Sequence, residues 1–213
     1  IPNMSIFKID SFETYQSEYK KSIEDPAGFW EGIAEHYQWQ QRWEKTLAWE
    51  FESPDVKWFQ GAKLNITENC LDRHLETRGN KLALIWEAND PKERFVRMTY
   101  RELHEEVCKT ANVLKKHGIQ KGDRVAIYMP MIPELTIAVL ACARIGAVHS
   151  VVFAGFSAHA LCDRINDASC KMVITADGMY RGAKGIPCKA VVDEALKDCS
   201  SVEKVLVAER TQW

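Results

Sequence analysis

From Leu82 onward, apolar residues recur alternately at every second position and at every third or fourth position. A period of two is typical of strands and a period of 3.6 of helices, so the alternation predicts repeated strand–helix units. Such units pair their strands in parallel, because each right-handed crossover returns the chain to the same sheet. The pattern therefore predicts an α/β fold that contains part of a doubly wound, mostly parallel sheet.

Local signals give the bounds of the predicted elements. Thr99 and Glu102 form a capping-box pattern, so a helix should begin there and end at Gly118. Pro133 should open the next helix, because proline is favoured in the first turn. The predicted strands are Leu82–Glu87, Phe95–Met98, Arg124–Met129, His149–Phe153, Met172–Thr175 and Val202–Val207, and the later helices are Pro133–Ile145, Ser157–Ser169 and Val191–Asp198.

The N-terminal region has a different composition. Five of the seven tryptophans lie within the first 58 residues, whereas the rest of the chain is rich in Ala, Val and Ile. Trp39 and Trp43 are four residues apart and follow an Asp–Pro pair that is typical of a helix start, which predicts a helix from Phe29 to Trp43. Large aromatic side chains serve burial more often than ligand binding. We therefore interpret residues 1–60 as a helical accessory segment that packs onto a larger body.

The charge balance argues against two classes of partner. Lys and Arg number 28 and Asp and Glu number 30, so the formal net charge is -2 and no overall field attracts nucleic acid or an anionic membrane. The most apolar stretch, Leu135–Val148, is too short to cross a bilayer and contains Arg144. The N-terminus lacks the basic region and apolar core of a secretory signal. We expect a cytoplasmic protein without a nucleic-acid or membrane partner.

Several familiar chemical motifs are absent from the sequence. The seven cysteines are an odd number without a C-x-x-C pair, and the six histidines are scattered, which argues against disulfides and against a metal site. Gly178–Lys184 does not have the spacing of a Walker A phosphate loop. Gly155–His159 ends in His where a nucleophile elbow requires Gly, so Ser157 is interpreted as a helix N-cap.

Two loops remain as candidate binding elements, because ligands of open α/β sheets bind outside the carboxyl ends of the strands. The first loop, Phe153–Phe156, contains Gly155, where the backbone can approach a ligand closely. The second loop, Ala176–Gly185, contains Arg181 and Lys184, whose charges suit a phosphate group. Taken alone, such a basic loop is more often a solvated turn.

A series of short motifs links the chain to a known family. In chain order they are Trp58–Gly61, Leu64–Asn65, Asn69–Leu75, Met98–Tyr100, Gly122–Val125, Tyr128–Pro130, Pro133–Glu134, Ala143–Ala147 with His149, Val152–Ser157 and Val173–Asp177. With these motifs the chain resembles the AMP-forming acetyl-coenzyme A synthetases, which are adenylate-forming acyl-activating enzymes. The Trp58–Leu75 and Phe153–Ser157 blocks are specific to short-chain acyl-coenzyme A synthetases, and the ordered matches cover nearly the whole chain.

The resemblance implies a two-step ligase that uses ATP with magnesium, acetate and coenzyme A. Acetate attacks the α-phosphate of ATP to give acetyl-AMP and pyrophosphate, and the thiol of coenzyme A then displaces AMP. Residues 61–213 would be the first part of the AMP-binding domain. In the family the phosphate loop, most of the acyl pocket and the catalytic lysine lie beyond the position of Trp213. We therefore expect these 213 residues to be an N-terminal fragment without catalytic residues, inactive alone and able to self-associate.

The same resemblance assigns the two loops to coenzyme A. The loop matching Tyr180–Lys184 holds the 3′-phosphate of the coenzyme A nucleotide, and the glycine matching Gly155 lies against its adenine. The family often carries Arg where this chain has Lys184, and Lys keeps the charge but loses the bidentate fork. The expected coenzyme A-binding residues are Phe153, Gly155, Arg181, Gly182, Ala183 and Lys184.

Two alternatives stay open at this point. One is a fragment of a propionyl- or acetoacetyl-coenzyme A synthetase, because the acyl pocket is not visible in these residues. The other is a free-standing, flavodoxin-like nucleotide-binding module. The missing phosphate loop weakens the module hypothesis, and so does a last predicted strand, Val202–Val207, with no helix after it to cover the sheet.

Overall fold

The computed structural model of the protein describes residues 8–50, 52–88, 90, 92–93, 95–182 and 184–212. The chain divides into two compact units, one up to Leu64 and one from Asn65. No helix among the described residues is long and apolar enough to span a bilayer.

The first unit contains two helices and one antiparallel hairpin. Its elements are α1 (Phe12–Glu24), α2 (Pro26–Ala34), β1 (Lys45–Glu50) and β2 (Asp55–Gln60). Asp25 caps α2 by accepting a hydrogen bond from the Gly28 amide at 2.9 Å, and Pro26 occupies the first turn. Local sequence signals therefore fix the start of α2.

The predicted helix from Phe29 to Trp43 is wrong, because α2 ends at Ala34. The backbone N–H groups of Gln40 and Gln41 donate to the Lys63 carbonyl oxygen at 2.8 and 3.2 Å, so this segment forms an isolated antiparallel bridge with Lys63 instead of continuing the helix. Trp39 and Trp43 still touch, with ring centroids 5.1 Å apart. Both rings also pack on Phe59, at centroid distances of 5.4 and 5.2 Å. Their spacing of four residues thus reflects a shared aromatic cluster, not a helix face.

The second unit contains the predicted alternation of strands and helices. Its elements are α3 (Ile66–Cys70), α4 (Leu75–Arg78), β3 (Leu82–Trp86), β4 (Val96–Thr99), α5 (Tyr100–Lys116), β5 (Arg124–Met129), α6 (Pro133–Ile145), β6 (Val148–Phe153), α7 (Ala158–Ala168), β7 (Met172–Ala176), β8 (Met179–Arg181), β9 (Lys184–Ile186), α8 (Cys188–Ala195) and β10 (Lys204–Ala208). The predicted bounds of β5 and α6 are confirmed, and α8 begins three residues before the predicted start.

The predicted doubly wound parallel sheet is confirmed. Four parallel strands lie in the order β10-β7-β5-β6, while β3 pairs with β4 and β8 with β9 as antiparallel hairpins. Alternate residues of β5 enter two separate apolar clusters: Val125, Ile127 and Met129 pack with α5 and α6, and Ala126 and Tyr128 pack with α7 and α8. Helices therefore cover both faces of the sheet, as a doubly wound fold requires.

Two predicted helix starts are present. Thr99 Oγ1 accepts from the Glu102 amide at 3.2 Å, and the Glu102 carboxylate accepts from the Thr99 amide at 2.8 Å, which completes the capping box of α5. Ser157 Oγ accepts from the Ala160 amide at 3.3 Å at the start of α7. Ser157 is therefore a helix cap, and its side chain is committed to backbone structure.

Candidate functional site

A groove of about 700 Å³ lies at the carboxyl edge of the four-stranded sheet. Parallel strands all end at the same edge, so the segments after β5, β6, β7 and β10 meet there. Residues from each of these segments line it, among them Met129, Phe153, Tyr180, Arg181 and Arg210, together with Trp86 at the end of β3. This edge is the position at which open α/β sheets bind ligands.

The first predicted loop forms one wall of the groove. The Phe153 side chain is 63% exposed and contacts the ring of Phe156 edge to face, at a centroid distance of 5.9 Å. Gly155 lies under the Phe153 ring, and a Cβ at this position would meet its Cε1 atom at 2.4 Å. Any larger residue would therefore displace the aromatic ring that lines the groove.

The second predicted loop folds as the β8–β9 hairpin. Arg181 and Lys184 are opposed in its register, and directly opposed residues of an antiparallel pair project from the same face. Gly182 has φ +61, the left-handed conformation required at the first position of a two-residue hairpin loop. Ala183 lies outside the described residues. The hairpin thus carries two cationic side chains side by side at its tip.

Asp177 anchors the start of this hairpin. Its carboxylate accepts hydrogen bonds from the backbone amides of Gly178 at 2.7 Å, Arg210 at 3.0 Å, Thr211 at 2.8 Å and Gln212 at 2.6 Å. Burial raises the pKa of this carboxyl, but these amide donors outweigh it and hold the pKa below the usual value. The ionised carboxylate therefore joins the chain after β7 to the chain after β10.

The cations of the groove have different environments. Arg210 forms a two-point ion pair with Glu93, with nitrogen–oxygen distances of 3.1 and 3.2 Å, and its guanidinium lies 5.6 Å from the Trp86 ring and 5.8 Å from the Tyr180 ring. Arg181 and Lys184 are exposed, and neither forms an ion pair with another described residue. Arg210 therefore belongs to the wall, whereas the hairpin cations face solvent.

The structure brings part of the predicted site together. Phe153 and Arg181 line the same groove, while Gly155, Gly182 and Lys184 lie in the two loops beside it. Among the described residues, no three His, Cys, Asp or Glu side chains cluster closely enough to hold a metal ion. The chemistry available at the groove is anion binding by the two cations and stacking on exposed aromatic rings.

Comparison with known proteins gives the family. Residues 71–213 match the family model described as AMP-binding enzyme, which covers more than half of the chain. The chain belongs to the AMP-binding enzyme family. Residues 15–70 match a second model, the acetyl-coenzyme A synthetase N-terminus.

Curated relatives of this chain are named acetyl-coenzyme A synthetases. The protein of Magnetococcus marinus is 51% identical over 212 residues, which are 99% of this chain and 33% of the relative. The protein of Gamma-proteobacterium EBAC31A08 is 55% identical over 204 residues, 95% of this chain and 31% of the relative. The chain therefore spans about a third of the length of the curated relatives it matches.

A solved structure shares the fold. The acetoacetyl-CoA synthetase from Streptomyces lividans is similar with a TM-score of 0.83 and 28% sequence identity, covering 91% of this chain and 30% of that one. The two proteins therefore share the mixed α/β architecture over most of the length of this chain.

Several residues at or near the groove were not predicted from the sequence. Trp86 and Arg210 line the groove, yet single aromatic and basic residues near strand ends give no distinctive pattern. Tyr180 lies in the predicted second loop but was not among the expected binding residues. Asp177 lies in a matched block, but only its four amide contacts reveal its role. Tyr128, which does not line the groove, was not predicted either, since a tyrosine inside an apolar strand has the pattern of a core position.

Proposed function

We propose that this chain contributes the coenzyme A-binding edge of an AMP-forming acetate–coenzyme A ligase. The names of the curated relatives support this activity, and the exposed cation pair beside the groove supports the assignment of the edge. In the reaction, a carboxylate oxygen of acetate bonds to the α-phosphorus of ATP and pyrophosphate leaves. The coenzyme A thiol, after losing its proton, then bonds to the acetyl carbon and AMP leaves. Magnesium enters the proposal only as the ion bound to ATP.

The observation that carries the site is the opposed pair Arg181 and Lys184 at the hairpin tip. A phosphate dianion between them would accept charge-assisted hydrogen bonds from both, and no competing carboxylate is paired with either among the described residues. We assign them the 3′-phosphate of coenzyme A. Phe153 and Gly155, on the neighbouring wall, would then lie next to the adenine, which an exposed ring can stack against.

Other parts of the proposal concern organisation. We propose residues 1–60 as an accessory segment and 61–213 as the AMP-binding domain; contacts divide the chain after Leu64, and the two family models meet between residues 70 and 71.

A cytoplasmic location is supported by seven cysteines that are all free thiols. Self-association of the 213 residues is supported by the exposed Val148 and Val151 on β6, at one edge of the four-stranded sheet.

The test uses the full-length protein with Arg181→Ala. A lost charge-assisted contact is worth about 1.5–3 kcal/mol, so the KM for coenzyme A should rise roughly tenfold or more. The KM for dephospho-coenzyme A, which lacks the 3′-phosphate, should change little. Acetate-dependent pyrophosphate exchange should stay near wild type, because the phosphate is remote from the adenylation step.

Lys197→Ala is the matched control, since Lys197 is an exposed cation paired with Glu194 and does not line the groove. It should leave both KM values unchanged. Equal losses for coenzyme A and dephospho-coenzyme A in Arg181→Ala would assign the arginine another role. Unchanged KM values for both would mean that the hairpin tip is a solvated basic turn.

A further inference from the structure

Tyr128 lies directly beneath the first loop. It is the penultimate residue of β5, its side chain is 1% exposed, and it packs in the apolar cluster under α7 and α8. Its hydroxyl donates toward the carbonyl oxygens of Ala154 at 2.7 Å and Phe156 at 2.9 Å. A core tyrosine thus reaches the backbone of the loop that lines the groove.

The hydroxyl is a single donor placed between two acceptors, so its proton is shared between the two carbonyls. These carbonyls flank Gly155, the residue that lies under the Phe153 ring. Burial raises the pKa of Tyr128 to about 12, with a smaller contribution from Cys188, so the phenol remains a neutral donor at ordinary pH. The Tyr128 hydroxyl therefore keeps the proton that it donates to the two carbonyl oxygens at ordinary pH.

The other end of the residue is also held. Thr175 Oγ1, on the adjacent strand β7, donates to the Tyr128 carbonyl oxygen at 2.7 Å, and both residues are buried. The tyrosine is fixed to the sheet by its backbone and to the loop by its hydroxyl. Its ring therefore connects the sheet to the first loop and fixes the position of that loop at the carboxyl ends of the strands.

We propose that Tyr128 is a positioning residue for coenzyme A: its hydroxyl holds the Ala154–Phe156 turn so that the Phe153 ring, with Gly155 beneath it, faces the groove. This inference rests on the proposed function of the groove. Tyr128 itself does not line the groove, so its effect on the ligand passes through the loop.

Tyr128→Phe in the full-length protein tests this role, because it removes the hydroxyl and keeps the ring. The KM for coenzyme A should rise about threefold to tenfold, the range expected for one buried hydrogen bond. The KM for dephospho-coenzyme A should rise by the same factor, since the first loop would face the base and not the 3′-phosphate. The kcat and the acetate-dependent pyrophosphate exchange should stay near wild type.

Ile165→Val is the control for a general loss of stability, because Ile165 is fully buried in the same cluster and its aliphatic side chain cannot hydrogen-bond to the loop carbonyls. It should lower the melting temperature and leave the KM for coenzyme A unchanged. Gly155→Ala provides a second variant, since the added methyl displaces the Phe153 ring. Combined with Tyr128→Phe, it should raise KM by less than the product of the two single effects.

Three results would overturn the inference. A lower melting temperature with an unchanged KM for coenzyme A would make Tyr128 an ordinary core residue. A KM that rises only for the form with the 3′-phosphate would place the effect on the β8–β9 hairpin and not on the first loop. An unfolded Tyr128→Phe variant would contradict a role confined to the first loop. If Arg181→Ala distinguishes the two forms of coenzyme A while Tyr128→Phe alters neither, only this inference fails. If Arg181→Ala alters neither, the proposed function fails first.

Discussion

At the scale of single residues, the groove depends on a few polar atoms that hold backbone in place. Asp177 accepts hydrogen bonds from four backbone amides in two segments that are more than thirty residues apart in sequence. Each such contact to a charged acceptor contributes more than a neutral one. Loss of this carboxylate should therefore loosen the chain after β7 and the chain after β10 together.

Asp177→Asn should lower the stability of the protein at pH 7 by about 1–3 kcal/mol, because Asn has one acceptor oxygen and presents an amide donor to the other N–H groups. The native pKa of Asp177 is depressed, so its contribution is fully present above the unfolded pKa of about 3.9 and is lost as the pH falls through the lower native pKa. Urea unfolding midpoints of both proteins should thus converge below about pH 4. A difference that stays constant between pH 7 and pH 3 would contradict this.

A single functional residue can be predicted from the sequence only when the neighbouring sequence already indicates its chemistry. Arg181 and Lys184 were predicted because charge, a glycine-containing loop and a preceding strand occur together. Tyr128 could not be predicted, since its strand position is typical of the core and its hydroxyl acts 26 residues away in sequence. A cluster of charges is visible in the local sequence, whereas the hydrogen-bond partner of a buried donor is known only from the tertiary fold.

At the scale of elements, the β8–β9 hairpin determines whether the two cations act together. Gly182 has φ +61, and a Cβ atom added to it would have no neighbour within 4 Å, so the cost of a larger residue there is backbone strain and not collision. A non-glycine residue in this conformation costs about 1 kcal/mol or more. The hairpin tip should relax to relieve that strain and separate Arg181 from Lys184.

Gly182→Ala should therefore raise the KM for coenzyme A several-fold and leave that for dephospho-coenzyme A nearly unchanged. Gly118→Ala is a matched control, because Gly118 has φ +86 and open space but precedes β5 at the opposite edge of the sheet. It should lower stability by a similar amount without changing either KM. If the KM for coenzyme A were the same in Gly182→Ala and in Gly118→Ala, the hairpin geometry would not matter for binding.

From Leu82 onward, the strands of four to six residues were predicted to within two residues at each end, whereas the strands of three residues were not predicted. The bounds of β5 followed from a continuous apolar run, and the start of α6 followed from Pro133. Strands β8 and β9 have three residues each, too few to show a period of two, so the second loop was predicted without its hairpin. The false helix across Trp39 and Trp43 arose because a pairing with Lys63 overrides local propensity.

At the scale of the whole molecule, the parallel sheet explains why the two loops share a groove. The segments after β6 and β7 are separated by about twenty residues, including all of α7, yet both strands end at one edge. The doubly wound topology was predictable from periodicity, and it placed both loops before any contact was known. The residues that complete the walls, such as Trp86 from a separate hairpin, required the tertiary structure.

A crystal structure of the full-length protein with coenzyme A bound would show whether the carboxyl edge of the sheet binds the coenzyme A nucleotide. The distance to measure joins the 3′-phosphate oxygens to the Arg181 guanidinium and the Lys184 ammonium. We expect charge-assisted contacts of about 2.7–2.9 Å to Arg181, with the adenine beside Phe153. A 3′-phosphate beyond hydrogen-bonding distance of both cations, with the adenine outside the groove, would contradict this expectation.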